Sequence, residues 1–425
     1  MLARSREHRP EVLGVIDIGS SKITCIISER TTPADGAAGP QFRVLGVGFQ
    51  RSRGVKAGFV IDLDQAEAAV RLAVADAERM AGVTLEDVVV NVSCGRVKSM
   101  HFYAHAELQA GHVRPEDLNK LREGAYSYAE RGGRAVVHLN RIGYLLDGDA
   151  GVRQPLRMAG RKLSAQYHAV TVDETPLENL LLLLERCYLG VGELLPSGYI
   201  SGVAATTEEE RRFGVIVADI GEGGTDLAMF ADGRFLYADM VPVGSGHITF
   251  DIARILSTTL AEAERIKTLY GSMITAGSDE RQVLSFSRSN GHEGEQGQTT
   301  KAELRRIIAP RVLGHLALLR DRIAASELLK NSEASVVLTG GGSLMMGLPA
   351  AAAELLGRKV RVGHTRIPAG VPERLTSPAF ATAVGMISAA SGQAPRLGQS
   401  PAEGRAEVNS GSFYRRMRTW LSESF

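Results

Sequence analysis

Cysteine, tryptophan and long apolar runs are scarce in this 425-residue chain, and each scarcity excludes something. Cys25, Cys94 and Cys187 stand singly in apolar contexts, so neither a disulfide framework nor a Cys/His zinc site is encoded. Buried thiols in a reducing compartment are expected instead. Even the aliphatic stretch 180–184 is broken by Glu185 and Arg186, well short of the ~18 apolar residues that read as a membrane-crossing helix. The first ten residues are charged and lack an apolar segment, so no signal peptide is expected there. Charge of one sign is missing too: 49 Lys and Arg balance 48 Asp and Glu, leaving no footprint for nucleic acid and no acidic tail. A soluble, multidomain α/β chain fits these bounds.

What the chain does contain is a repeated turn. Val15-Ile16-Asp17-Ile18-Gly19-Ser20-Ser21-Lys22 and Val217-Ala218-Asp219-Ile220-Gly221-Glu222-Gly223-Gly224-Thr225-Asp226 are each an apolar strand running into Asp-Ile-Gly. One such turn is ordinary hairpin punctuation. Two of them, about 200 residues apart, suggest related half-molecules facing each other across a cleft. Glycines let backbone N–H groups approach a phosphate closely, and an Asp at a strand tip can hold the waters around a Mg²⁺. The candidate phosphate-binding residues are therefore Asp17, Gly19, Ser20, Ser21 and Lys22 in the first loop and Asp219, Gly221, Gly223, Gly224 and Thr225 in the second. Asp17 and Asp219 are the candidate water-mediated Mg²⁺ holders.

Periodicity supplies the frame. Strands are expected at 13–18, 23–28 and 43–50, a helix at 63–81, and a buried strand at 88–93. Residues 95–170 read as an inserted block with short strands at 136–139 and 167–172 and a helix at 115–129. A helix at 178–186 and a polar connector at 207–212 lead to the second Asp-Ile-Gly strand. Then come a strand at 235–243, a long helix from about 248, a mobile Ser/Gly/Gln loop at 285–298 and a helix at 301–329. A strand at 335–339 delivers Gly340, Gly341, Gly342 and Ser343 to a sheet edge, where a bare backbone could take a flat adenosine. Glu264 and Lys267 share a helix face, placing an acid for ribose hydroxyls beside an amine for the adenine pocket. After a helix at 378–390, the segment 391–411 has the composition of a flexible tether.

The last fourteen residues, 412–425, have their own physics. On a helical wheel Phe413, Tyr414, Met417, Trp420, Leu421 and Phe425 fall on one side, Arg415, Ser422 and Glu423 on the other, with Arg416 and Arg418 flanking the apolar arc. The single Trp lies on the apolar side. A basic amphipathic helix behind a tether reads as a peripheral anchor for anionic lipid, the other reading being a helix docked on the body. One such foot binds weakly, and a polymer would array many of them.

Taken in order, the two phosphate loops, the Glu-x-x-Lys helix and the Gly-Gly-Gly loop resemble the superfamily of actin, the heat-shock chaperones and the sugar kinases. The segment Ser52-Arg53-Gly54-Val55-Lys56-Ala57-Gly58, the inserted block, Arg186-Cys187, residues 304–311 and the tail narrow the resemblance to the FtsA family of bacterial cell-division proteins. That resemblance implies an actin-like two-lobed α/β fold of duplicated ribonuclease-H-like domains. An inserted α+β subdomain 1C replaces subdomain 1B, and a C-terminal amphipathic helix follows a flexible linker. The implied division is 11–85 and 174–206 for subdomain 1A and 86–173 for 1C. Subdomain 2A takes 207–247 and 335–376, and 2B takes 248–334. A helix at 377–392 returns to 1A, a linker spans 393–411, and the membrane helix is 412–425.

The resemblance also implies ATP and Mg²⁺ as cofactors, head-to-tail homopolymers, other divisome proteins bound through subdomain 1C, and no nucleic-acid partner. It places the chain at the cytoplasmic face of the inner membrane at the division site. It maps the C-terminal peptide of the tubulin-like FtsZ onto Arg305, Arg306 and Ile308. No acid occurs in 199–205, where relatives that hydrolyse ATP often carry one, so turnover is expected to be slow or negligible. Glu208, Glu209 and Glu210 are expected in a polar surface turn. Glu222 and Gly224 depart from the family's second loop, which leaves phosphate binding there open. A small-molecule kinase and a pilus or secretion scaffold share the nucleotide fold, but neither accounts for the tail.

Overall fold

The computed structural model describes residues 12–31, 41–289, 296–330, 332–365 and 372–390. The chain opens as a meander of β1 (Val12–Ile18), β2 (Lys22–Thr31) and β3 (Gln41–Arg51), followed by a small hairpin, β4 (Val55–Lys56) and β5 (Phe59–Val60). Helix α1 (Leu63–Ala81) begins where Asp62 accepts the Gln65 N–H at 3.0 Å and ends where Gly82 turns left-handed, at φ 69°. Its buried face is alanine-rich and lies against Gly46 and Gly48 of β3. A Cβ on Gly48 would stand 1.9 Å from the Ala73 carbonyl oxygen, so small residues on both surfaces let the helix sit close to the sheet.

After β6 (Asp87–Val92) the chain leaves this sheet. β7 (Lys98–Glu107), α2 (Pro115–Ala129), β8 (Arg134–Leu146), β9 (Asp149–Val152) and β10 (Lys162–Asp173) build a separate antiparallel sheet, in the order β7-β10-β8-β9, with its own small core around Leu121 and Leu163. Helix α3 (Glu174–Arg186) and β11 (Gly190–Pro196) then return to the first sheet. Its order is β3-β2-β1-β6-β11, with the meander antiparallel and β6 and β11 added in parallel.

Two helices, α4 (Ser197–Ala205) and α5 (Glu208–Phe213), carry the chain into a second lobe. There β12 (Val215–Ile220), β13 (Thr225–Ala231) and β14 (Arg234–Val241) repeat the meander. Helices α6 (Ser245–Leu256) and α7 (Leu260–Tyr270), the hairpin β15 (Val283–Ser287) and β16 (Gln296–Thr300), α8 (Lys301–Ala325) and α9 (Glu327–Lys330) follow. Then β17 (Ser335–Thr339), α10 (Leu348–Leu356) and β18 (Val360–Val362) close the sheet in the order β14-β13-β12-β17-β18, and α11 (Ala381–Ala390) ends the described chain. Both sheets thus follow one plan, an antiparallel meander plus two parallel strands. The repeated turn marks a duplication of whole sheets. β12 is buried along its whole length and β1 over its last five residues, which explains their unbroken apolar runs.

Several elements differ from the sequence expectation for local reasons. The flanks of 285–298 form a hairpin, because Leu284 and Phe286 alternate inward and Gly297 makes room for the Phe286 ring; residues 290–295 lie outside the described residues. The inserted block carries two further strands, and its two expected strands are longer. The long helix from about 248 is two helices, broken at Ser257, which is left-handed at φ 54°. The 207–212 connector is helix α5, whose first turn is closed by Thr207 and Glu210, each accepting the other's backbone N–H. Glu210 is also paired with Arg361, while Glu208 and Glu209 are exposed on the first turn of the helix. The 378–390 helix begins with a 3₁₀ turn, Pro378–Phe380. The residues expected to face a membrane, Phe413, Arg415, Arg416, Met417, Arg418, Trp420, Leu421 and Phe425, lie outside the described residues, as does the expected linker. Among the described residues no helix is long and apolar enough to cross a membrane.

The inserted unit touches the second lobe as well as the first. Its His138 and His168 pack edge-on against Phe235 of β14, and Tyr199 and Phe230 complete the aromatic cluster. His101 meets the Leu236 carbonyl at 2.7 Å and His168 meets that of Phe235 at 3.1 Å. Phe235 is fully buried at this junction. Phe235→Ala is expected to cost about 3–5 kcal/mol of unfolding free energy in a denaturant titration.

Candidate functional site

The two Asp-Ile-Gly turns meet across a cavity of about 390 Å³ between the lobes. In each turn the glycine N–H closes on the carbonyl three residues on: Gly19 to Lys22 at 3.1 Å, and Gly221 to Gly224 at 2.9 Å. The tips also touch, since a Cβ on Gly223 would lie 2.6 Å from the Ser20 hydroxyl oxygen and 2.7 Å from Ala57. Ala57 and Gly58 both have positive φ, 48° and 79°, as the two-residue turn between β4 and β5 demands, and that turn forms part of the cavity wall.

Asp17, Gly19, Ser20, Ser21, Lys22, Asp219, Gly221, Gly223 and Gly224 line the cavity, and so do Glu264, Lys267, Gly340, Gly341 and Gly342. Two candidates do not. Thr225 is fully buried, because strand alternation turns it from the cavity; its hydroxyl donates to the Val243 carbonyl and lies 2.8 Å from His315 Nε2. Ser343 is also buried, donating to Gly340 O at 2.7 Å and closing its own turn. A third candidate fails elsewhere: Ile308 on α8 is fully buried in the second lobe's core and offers no side chain to a partner. Arg306 is exposed and pairs with Glu280, while Arg305 is half-buried.

The cavity is rich in acid. The Asp17 carboxyl is pushed up to about 7, first by burial and then by Asp219, with Lys22 opposing. Asp219 is raised by burial although Thr382 donates to it at 3.0 Å and Ser201 also hydrogen-bonds it. Asp226, beside the misplaced Thr225, is raised well above the usual range by burial, Asp219 and Asp17. Both candidate cations are engaged with the protein. Lys22 donates to the Ala379 carbonyl at 2.6 Å and lies 3.6 Å from the centre of the Phe380 ring. Lys267 is buried and donates to Thr249 at 2.8 Å and to the Ser245 carbonyl at 3.2 Å, with Glu264 at 2.7 Å.

The glycines of the third loop divide by function. A Cβ on Gly340 would meet Asp219 Oδ1 at 2.3 Å, and on Gly342 it would meet Ile220 at 2.4 Å, so the fold itself requires both. Gly341 is different: a Cβ there would find only Ala379, at 3.8 Å. That leaves a bare backbone on a cavity wall completed by Leu344, Met345, Met346 and Thr268, which fits a flat heterocycle. Among the described residues no three acidic, His or Cys side chains are grouped closely enough to ligate a metal directly. Asp17 and Asp219 are carboxyl groups on the cavity wall, of the kind that can hold a hydrated Mg²⁺ through its waters.

Sequence reasoning missed Asp226, the Ala57-Gly58 turn, Asn91, Ser197 and Thr382, all on the cavity wall. Asp226 follows from alternation along β13, and Asn91 stands out as the polar residue in a buried strand. Nothing local marks Thr382. The buried carboxyl of Asp17 gives a sign to pH dependence: a folded pKa raised from 3.8 favours the folded state at low pH and loses that contribution as pH climbs to about 7. Asp17→Asn should therefore gain stability over the unmodified protein progressively between about pH 4 and 7, by a few kcal/mol at most, in paired thermal melts. The paired comparison removes the opposing pull of His138 and His168, whose lowered pKa values favour the fold at higher pH.

Comparison with known proteins agrees with this architecture. A family model described as cell division protein FtsA matches residues 216–385, and one described as the SHS2 domain inserted in FtsA matches residues 94–171. The cell division protein FtsA of Agrobacterium fabrum is 39% identical over 391 residues, covering 91% of this chain and 88% of that protein. Among solved structures, the PilM-PilN type IV pilus biogenesis complex aligns with TM-score 0.61 at 16% identity, covering 88% of this chain and 96% of that one. MreB5 of Spiroplasma citri bound to ADP aligns with TM-score 0.52 at 11% identity, covering 89% and 95%. These two likenesses concern the fold, which is actin-like. Identity over nearly the whole length, together with the inserted domain, places this chain in the FtsA family of cell division proteins.

Proposed function

We propose that the cleft binds ATP with Mg²⁺ and that the chain uses this nucleotide to control its assembly into head-to-tail polymers that tether FtsZ filaments to the membrane. The observation that carries the nucleotide reading is Gly341, a glycine that the fold does not need, on the wall opposite two glycine turns. Backbone N–H groups around Ser20, Ser21 and Gly223 would hold phosphates. Glu264 would take the ribose hydroxyls, and the Lys267 stem and Met346 would bracket the base. A Mg²⁺ would neutralise phosphate charge beside Asp17 and Asp219.

Hydrolysis is proposed to be slow. Helix α4 is buried throughout and carries no acid, so the position that could orient an attacking water holds only Ser197 and Ser201. Arg305 and Arg306, at the start of α8, are proposed to take the acidic C-terminal peptide of FtsZ, without Ile308. The inserted sheet is proposed to meet other divisome proteins, and no nucleic-acid partner is proposed. Tail residues 412–425 would seat the polymer on anionic lipid at the cytoplasmic face of the inner membrane, at the division site.

Two measurements test this. Gly341→Ala should leave thermal stability intact while weakening binding of a fluorescent ATP analogue about tenfold or more, because the new methyl meets the ligand rather than the protein. Loss of residues 411–425, or Trp420→Glu, should release the protein from anionic liposomes in co-sedimentation while ATP binding persists. Unchanged sedimentation would sink the membrane reading.

A further inference from the structure

Glu222 lies on the cavity wall in the second glycine turn, and the protein makes room for it. Its backbone carbonyl is held by the Gly246 N–H at 2.9 Å, and that of Gly221 by the Ser245 N–H at 2.8 Å, so the start of α6 fixes the turn from behind. A Cβ on Gly246 would lie 2.8 Å from Glu222 Cγ, and one on Gly244 would lie 2.5 Å from the Glu222 carbonyl oxygen. Glycine at 246 leaves space for the Glu222 side chain, and glycine at 244 leaves space for its backbone. The Ser21 side chain of the first lobe lies near enough to favour the charged form of Glu222.

Burial first, and then Glu264 on α7, raise the pKa of this carboxyl, while Ser21, Lys267 on the same helix as Glu264 and Arg51 on β3 lower it. The Lys267 ammonium is already shared among Glu264, Thr249 and Ser245, and Lys22, on the cavity wall, is bonded to the Ala379 carbonyl beside the Phe380 ring. Asp17, Asp219 and Asp226 line the same cavity. A polyphosphate entering between the loops therefore meets a crowd of acids, whose carboxyls are raised by burial and whose ionised forms would repel it.

We propose that Glu222 is a charge gate, a specificity-determining residue that admits a nucleoside polyphosphate only when a divalent cation accompanies it. The gate rests on the nucleotide reading of this cleft and adds a discrimination within it. The cation supplies the positive charge that Lys22 and Lys267 do not, and it lets the carboxylate stay in place or turn aside without facing bare phosphate. Adenosine, which carries no phosphate, is indifferent to the gate.

The test is equilibrium binding of ADP, ATP and adenosine to the full chain, with Mg²⁺ or with a chelator, for the unmodified protein, Glu222→Gln and Glu222→Asp. Glu222→Gly serves in place of Glu222→Gln should that variant melt early. The expected result is a large loss of ATP affinity on chelation in the unmodified protein and in Glu222→Asp. In Glu222→Gln the ratio of affinities with and without Mg²⁺ shrinks by about tenfold or more, and adenosine binds all forms alike. An equal loss on chelation in Glu222→Gln overturns the gate and leaves the nucleotide reading standing. A gain in adenosine affinity in that variant also overturns it, since the effect is then one of space and not of charge. Absence of nucleotide binding in every form with Mg²⁺ present overturns the nucleotide reading and the gate together.

Discussion

The two lobes are joined through α4 and α11, and these helices cross at a contact with no room to spare. A Cβ on Gly385 of α11 would stand 2.0 Å from the Ile200 carbonyl oxygen of α4. The strand tip at Asp219 is tied to both, through Thr382 on α11 and Ser201 on α4. One carboxylate thus reports the position of both crossings at the floor of the cleft. This junction borders the cavity between the lobes. Asn91 extends it into the first lobe, accepting the Ile18 N–H at 2.8 Å and donating to Ser197 at 3.2 Å.

Electrostatics gives the cleft its character. Five carboxyl groups line it, and its two lysines are bound to protein acceptors, so the site as built is short of positive charge. Burial meets part of this cost by lifting the carboxyl pKa values, as at Asp17. A ligand that brings its own cation meets the rest. Lys22 matters for a second reason: it holds the 3₁₀ turn Pro378–Phe380, whose Pro378 carbonyl accepts the Gly340 N–H at 3.2 Å. The first phosphate loop, the third glycine loop and the start of α11 are therefore linked by adjacent hydrogen bonds.

The inserted unit is more than an appendage on the first lobe. Arg134 and Arg96 clamp Asp173 where the chain enters and leaves it, and its histidines reach the edge of β14 in the second lobe. Covering that edge leaves β14 little backbone to offer another chain. It also gives the lobes a contact away from the cleft, so that any relative motion of the lobes must deform an aromatic cluster.

The sequence by itself determined the duplicated strands, the glycine turns, the Ala-faced helix α1 and the helix of the insert, whose limits at Pro115 and Ala129 match the pattern. These are local or periodic signals, written in alternation, in 3.6-residue spacing and in the residues that turns require. It also marked the amphipathic tail. Only the tertiary structure decided which side chains face the cavity. Thr225 and Ser343 sit in the right motifs and point the wrong way, and Ile308 belongs to a core that its helix pattern alone could not assign. Thr382 bonds Asp219 from 163 positions away, and Lys22 reaches Ala379 across 357. Glu222 looked like a misfit in its loop until the glycines of α6 and the Ser21 hydroxyl of the other lobe were placed around it. Such pairings carry no sequence period, because they arise between segments far apart in the chain that the contact of α4 and α11 brings together.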